Sequence, residues 1–213
     1  MPAKVWIVGE GNNELGAGDG YGGRDRGVLE ALLARMCDGG WECAGKQQWH
    51  AIQKFRAGGA RLGAANHGDY LNVLGLVLEA YENAADAVAF TRDVDSDPDR
   101  EDAVIAAIAW IRGESTWSID VIGGVAKPAI EGWILALRAV PGTDGMSRPR
   151  ARALLAEQGI GAKSNADYVE VVEQAELGEP DHFGLPSGAK SLRVWLATAH
   201  EVLTRLVHGR PAP

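Results

Sequence analysis

Cysteine is scarce in this chain: Cys37 and Cys43 are the only two in 213 residues. A Cys-x5-Cys pair with no second pair is neither a disulfide framework nor a zinc signature. Two reduced, half-buried thiols in a cytoplasmic protein are expected instead. Positive charge is also in deficit, with 21 Lys and Arg against 29 Asp and Glu, a formal net charge of −8. Such a chain is not drawn to nucleic acid by its overall field. Acting on DNA or RNA would require a local basic patch, metal ions or a basic partner. No apolar run approaches the ~20 residues that cross a bilayer, so no membrane association is expected. No basic segment followed by an apolar one marks a secretory signal. The five histidines, His50, His67, His182, His200 and His208, show no helical His-x-x-x-His or His-Glu pairing, which leaves a zinc hydrolase without support. Ser115, Ser118 and Ser187 lack a nucleophile-elbow context.

Two acidic clusters stand out against this background. Each follows a short apolar run: Val5–Val8 precedes Gly9-Glu10-Gly11-Asn12-Asn13-Glu14, and Ala87–Phe90 leads into Thr91-Arg92-Asp93-Val94-Asp95-Ser96-Asp97. Near-continuous apolar runs read as buried parallel strands. Acids at the C-terminal ends of such strands face the crevice where open α/β sheets bind ligands. Carboxylates converging there repel one another unless a cation intervenes, and hard cations take oxygen ligands.

Other readings of the same residues fail or cover only part of them. Gly9-Glu10-Gly11 lacks the third glycine of a dinucleotide fingerprint, with Glu14 in its place, and no Gly-Lys-Ser/Thr follows. Asp93-x-Asp95-x-Asp97 starts like an EF-hand loop, but Pro98 and Val104 stand where the turn glycine and bidentate Glu belong. A capping role suits Asp97 before Pro98, and Asp99, Glu101 and Asp102 suit a helix first turn. Glu131, following a fourth strand, is a third candidate acid, with a favourable helix dipole as its plainer explanation.

The remaining pattern alternates. Strands are expected at Lys4–Val8, Trp41–Lys46, Ala87–Thr91 and Ser118–Gly123. Helices are expected at Val28–Met36, Trp49–Phe55, Tyr70–Ala84, Pro98–Arg112 and Ala129–Ala139. This alternation implies parallel pairing with right-handed crossovers. Residues 9–27 form a glycine-rich loop, either a surface loop or a substrate-contact segment carrying Arg24 and Arg26. After the break at Pro141–Pro149, three further helices are expected at Arg150–Gln158, Ala166–Gln174 and Ala189–Val207. Lys190, Arg193, Arg205 and Arg210 lie on or near the last of these and read as a solvated face. The fold class is therefore α/β: a Rossmann-like parallel sheet of about four strands flanked by helices (1–140), with a helical C-terminal extension (141–213) packed on it.

Glu-Gly after the first strand, Asp-x-Asp after the third and Ile130-Glu131-Gly132-Trp133-Ile134-Leu135 after the fourth resemble the TOPRIM superfamily. The likeness extends to overcoming-lysogenization-defect (OLD) type nucleases and to stand-alone TOPRIM-like proteins of bacterial phage-defence loci. It spans roughly residues 4–140. Asn13 stands where many such proteins have a small or hydroxyl residue, and the acid they carry near Leu137 is absent.

The resemblance implies Mg²⁺ or Mn²⁺ held by Glu10, Glu14, Asp93, Asp95 and Glu131. Glu10, Asp93, Asp95 and Lys127 would serve phosphodiester cleavage, Lys127 by neutralising the transition-state phosphate. It further implies a cytoplasmic antiviral-defence nuclease, acting on DNA ahead of RNA with an ATPase partner, and leaves self-association open. Two alternatives stand beside this reading: a non-catalytic interaction module with a vestigial acidic site, and a phosphohydrolase or nucleotidyl transferase with a small substrate.

Overall fold

The apolar runs and amphipathic segments assemble into three layers. A computed structural model of the chain describes residues 1–16, 26–53, 68–94, 97, 99–114, 116–161, 164–180 and 183–209. Its sheet has four strands: β1 (Ala3–Gly9), β2 (Trp41–Gln48), β3 (Ala87–Asp93) and β4 (Asp120–Ala126). The order is β2-β1-β3-β4, and every pairing is parallel. The chain is thus an α/β protein of the expected class.

Alternate residues along each strand serve opposite faces, as the period of two requires. Val5, Ile7, Ala87, Ala89 and Ile122 point into one apolar layer. Trp6, Val8, Val88, Phe90 and Val121 point into the other. The second layer is closed by α3 (Gly68–Glu82) and α4 (Asp99–Glu114), through Val73, Leu74, Val77, Val104 and Ile108.

The first layer is closed by α2 (Val28–Met36), α5 (Ile130–Leu137), α6 (Arg148–Glu157), α7 (Asn165–Gln174) and α8 (Lys190–His208). Leu29, Leu32, Trp133, Leu155, Tyr168, Val172 and Trp195 are buried there together. Helices after residue 141 therefore supply part of the wall of the same core as the sheet. The indole of Trp195 stacks at a tilt on Trp133, 5.7 Å between rings, and donates to the carbonyl of Phe90 at 2.9 Å. That bond fastens the last helix to the central strand β3.

Three local departures have physical causes. A four-residue helix, α1 (Asn12–Leu15), stands in what reads as open loop, since four residues are too few to show a period. It buries Glu14 and Leu15 because Gly27 lets its backbone approach; a Cβ there would lie 2.3 Å from the Glu14 carbonyl oxygen. Strand β4 starts later and ends later than its sequence suggests. Gly123-Gly124 reads as a stop, yet Gly123 continues the strand because the Phe90 ring lies where its Cβ would be, 2.2 Å from Cε1. Trp49–Ala51 forms one 3₁₀ turn, which Ile52 ends in extended backbone; Lys54 and Phe55, the last residues of that expected helix, lie outside the described residues. So do Arg24, Asp95, Pro98, Ser115, His67, His182 and Arg210.

Cys37 and Cys43 are free and half-buried. Arg205 pairs with Asp120 at 2.8 Å, and Arg193 donates to the carbonyls of Leu185 and Pro186. No helix among the described residues is long and apolar enough to cross a membrane.

Candidate active site

Parallel pairing puts the C-terminal ends of β1, β3 and β4 on one rim. A cleft of about 370 Å³ opens there. Its walls include Glu10, Glu14, Asp93, Glu131, Arg148 and Arg152. Four of the five acids singled out as metal ligands are thus brought together, and the fifth, Asp95, lies outside the described residues.

Each acid is positioned by local structure. Glu10 follows the last residue of β1, and its Oε1 accepts the N–H of Asp93 at 2.9 Å and an Nη1–H of Arg92. That ties the ends of β1 and β3 together. Glu14 turns back over α1, its Oε2 accepting the Gly11 N–H at 2.9 Å. Asp93 closes β3, and its Oδ1 accepts the N–H of Ile130 at 3.1 Å. It therefore caps α5, whose own N-cap, Ala129, offers no side-chain acceptor. Glu131 sits in the first turn of α5.

Burial makes these acids unusual. Asp93 and Glu131 are 1% exposed and Glu14 is 4% exposed. Burial first, then the charges of Glu10 and Glu14, push the Asp93 carboxyl up to about 8, against the opposing pull of Arg148. Burial likewise pushes Glu14 up to about 7, aided by repulsion from Glu10 and Glu131, although the N–H groups of Glu14 and Gly11 pull it down.

The two arginines come from α6, for which the sequence pattern predicts a start at Arg150. The helix actually begins at Arg148, with Ser147 as its N-cap. Four residues apart, Arg148 and Arg152 share a face. Arg148 Nη2 lies 3.1 Å from Asp93 Oδ2, and its Nε lies 3.5 Å from Glu131 Oε2. Arg152 Nε donates to Glu131 Oε1 at 2.8 Å. Neither arginine is marked by the motifs around the acids. The available signal was the cluster Arg148-Pro149-Arg150-Ala151-Arg152 just past the linker.

Lys127 is placed elsewhere: its Nζ pairs with Glu101 of α4 at 2.5 Å, and it is not among the residues lining the cleft. Asp97 takes the capping role, its Oδ1 accepting the N–H of Asp99 at 3.2 Å. Arg26 lies 3.7 Å from Glu173 of α7.

Beside the cleft lies a second charged cluster that no sequence motif announced. Asp69, in the first turn of α3 and 5% exposed, accepts from Trp49 Nε1 at 3.1 Å, Arg92 Nε at 3.1 Å and Arg100 Nε at 2.8 Å. The Arg92 guanidinium stands 5.3 Å from the Trp49 ring centre, a cation–π contact. Arg92 then reaches Glu10, and Arg100 donates to the Asp93 carbonyl at 2.6 Å. Asp69 thereby orients the cleft acids from behind.

Whether the cleft suits a hard divalent cation is a question of donors. Among the described residues, no three His, Cys, Asp or Glu side chains are gathered into a metal-binding group. Arg148 stands between Asp93 and Glu131. The donor set itself fits, because every acid offers oxygen. Asp93 Oδ2 and Glu131 Oε2 are buried and make no hydrogen bond; their nearby cationic partner is Arg148. With Arg92 on Glu10 and with Arg148 and Arg152 on Asp93 and Glu131, four carboxylates meet three guanidiniums, one of them shared with Asp69, so the fully ionised cleft is still short of positive charge. No protein-family model, curated protein or solved structure matches this chain.

Proposed function

We propose that the cleft is the active site of a divalent-metal-dependent phosphodiesterase, a nuclease acting on DNA ahead of RNA. The observation that carries this reading is the meeting of Glu10, Glu14, Asp93 and Glu131 with Arg148 and Arg152 at the C-terminal rim of a parallel sheet. Glu10, Glu14, Asp93 and Glu131 would hold Mg²⁺ or Mn²⁺. The bound ion would supply Lewis-acid polarisation of a phosphoryl oxygen and a water acidic enough to attack it.

The protein's own contribution is positional. Arg92 and the Asp93 N–H fix the Glu10 carboxylate, and Arg152 fixes Glu131. Guanidinium forks match phosphate oxygens and stabilise charge that develops on them. Lys127, paired with Glu101, is not needed for that role. Service as the effector subunit of a defence system, with an ATPase partner, belongs to the same reading and is supported by the resemblance to TOPRIM-like proteins.

A second reading has its own support. Arg148 and Arg152 already answer the charge of Asp93 and Glu131, as in an ion-pair lock inside a non-catalytic interaction module. One experiment separates the two. Plasmid DNA, RNA and a phosphodiester ester of p-nitrophenol are incubated with the protein in Mg²⁺ or Mn²⁺, beside Asp93→Asn and Glu10→Gln. Cleavage of nucleic acid that falls at least about 100-fold in both variants is expected. Cleavage of the ester alone assigns a small substrate. Absence of both activities, with no Mn²⁺ binding in calorimetry, leaves the interaction module.

A further inference from the structure

We infer that Arg148 is a built-in counter-ion that a divalent cation displaces, and that its guanidinium then moves onto a phosphate of the substrate. Cation and substrate binding would thus be coupled through one side chain. The inference rests on the metal-dependent reading of the cleft.

Four observations carry it. First, Arg148 bridges carboxylates from two different elements, Asp93 at the end of β3 and Glu131 at the start of α5. Bridging oxygens from separate elements is what a bound cation does. A divalent ion at the same oxygens gains about twice the Coulomb attraction of a guanidinium at equal distance.

Second, the partners differ in freedom. The Asp93 and Glu131 side chains are 1% exposed, whereas the Arg148 side chain is 31% exposed. The acids are fixed in the interior, whereas the guanidinium has the solvent access that a change of partner requires.

Third, the contacts are loose on the acid side. Asp93 Oδ2 has Arg148 at 3.1 Å without hydrogen-bond geometry, and Glu131 Oε2 has it at 3.5 Å. An incoming ion therefore breaks no well-formed hydrogen bond at either oxygen.

Fourth, Glu131 keeps its orientation when Arg148 departs, because Arg152 holds its other oxygen at 2.8 Å. The freed guanidinium remains at the cleft mouth, anchored on the first turn of α6. There its planar fork suits a phosphodiester.

The test titrates Mn²⁺ alone into wild type, Arg148→Gln and Arg148→Lys by calorimetry. Binding of a short fluorescein-labelled DNA duplex is then followed by anisotropy, with and without Ca²⁺. Arg148→Gln, relieved of the competitor, is expected to bind Mn²⁺ at least about fivefold tighter than wild type. Arg148→Lys, which keeps the charge, should stay near wild type. Ca²⁺ should strengthen duplex binding to wild type and lose that effect in Arg148→Gln. Reciprocity requires the duplex to strengthen cation binding to wild type by the same factor.

Mn²⁺ affinity that is equal or weaker in folded Arg148→Gln overturns the inference and leaves the metal reading standing. Should Arg148→Gln fail to fold, Arg148→Lys decides. For Arg148→Lys, a Ca²⁺ effect on duplex binding that is weaker than in wild type, at unchanged Mn²⁺ affinity, supports the inference, because an ammonium lacks the planar fork, and a Ca²⁺ effect equal to or stronger than that of wild type overturns it. No Mn²⁺ binding by wild type or either variant overturns the metal reading and the inference with it.

Discussion

Two charged clusters share the C-terminal rim of the sheet and are built on opposite plans. Around Asp69, one buried carboxylate faces two guanidiniums and an indole N–H. Around Asp93, four carboxylates face Arg148 and Arg152 and share Arg92 with Asp69. The arginines of the first cluster, Arg92 and Arg100, have side chains 16% and 13% exposed; those of the second, Arg148 and Arg152, are 31% and 36% exposed. The first is closed, with a donor for each carboxylate oxygen. The second is short of positive charge, and two of its buried oxygens lack a hydrogen bond. A scaffold saturates its charges, whereas a site that must take up a ligand leaves some of that work undone. Arg92 joins the two by holding both Asp69 and Glu10.

The largest effect should come from breaking the closed cluster. Asp69→Ala removes the acceptor shared by Trp49, Arg92 and Arg100. Two mostly buried guanidiniums then face each other without their central counter-charge. Loss of one partner from such a buried set costs about 3–5 kcal/mol. Urea denaturation should show this as a lower midpoint with little change in slope. If Asp69→Ala denatures like wild type, the Asp69 cluster is not the scaffold, and the contrast fails.

The open cluster should show the opposite sign. Glu14 has an ordinary carboxyl pKa near 4.5 when unfolded and one raised to about 7 in the fold. The folded state therefore holds the proton more tightly between those values. Stability from this group is fully present below pH 4.5 and is lost as pH rises through 7. Glu14→Gln removes the penalty and keeps an acceptor for the Gly11 N–H. In metal-free buffer the variant should gain about 3 kcal/mol over wild type at pH 8 and nothing at pH 4. Thermal melts across that range check it; equal melting curves at pH 8 would show that the acid imposes no cost on the fold.

How much of this was legible depends on the range of the interactions involved. Val28–Met36 was readable to the residue because its apolar face repeats within the helix itself. The acids at 10, 14, 93 and 131 were readable because each follows a strand or enters a helix, and parallel topology does the rest. Arg148 and Arg152 were not. Their partners lie 55 and 21 residues away in the chain, and nothing local says which way α6 turns after the linker. Asp69 meets Arg92 and Arg100 across 23 and 31 residues and reads locally as an ordinary first-turn acid. Lys127 looked close to the site in sequence, but it points to Glu101 instead. Lys and Arg side chains reach far enough that sequence neighbourhood does not decide their partners.

The smallest expected effect sharpens the comparison most. Arg152→Ala deletes a guanidinium that donates to Glu131 at 2.8 Å, a contact that looks stronger on paper than the 3.1 Å bond from Arg92 to Asp69. Yet Arg152 is 36% exposed, so water screens its pairing and takes up the slack when it goes, and its worth to stability should be under about 1 kcal/mol. Arg148 stays within reach of the other Glu131 oxygen and limits the loss further. Denaturation midpoints for Arg152→Ala and Asp69→Ala, measured side by side, should therefore differ by several-fold in the energy they report. A loss of 3 kcal/mol or more for Arg152→Ala would place it with Arg92 as scaffold, and the cleft would then be an ion-pair lock on both of its flanks.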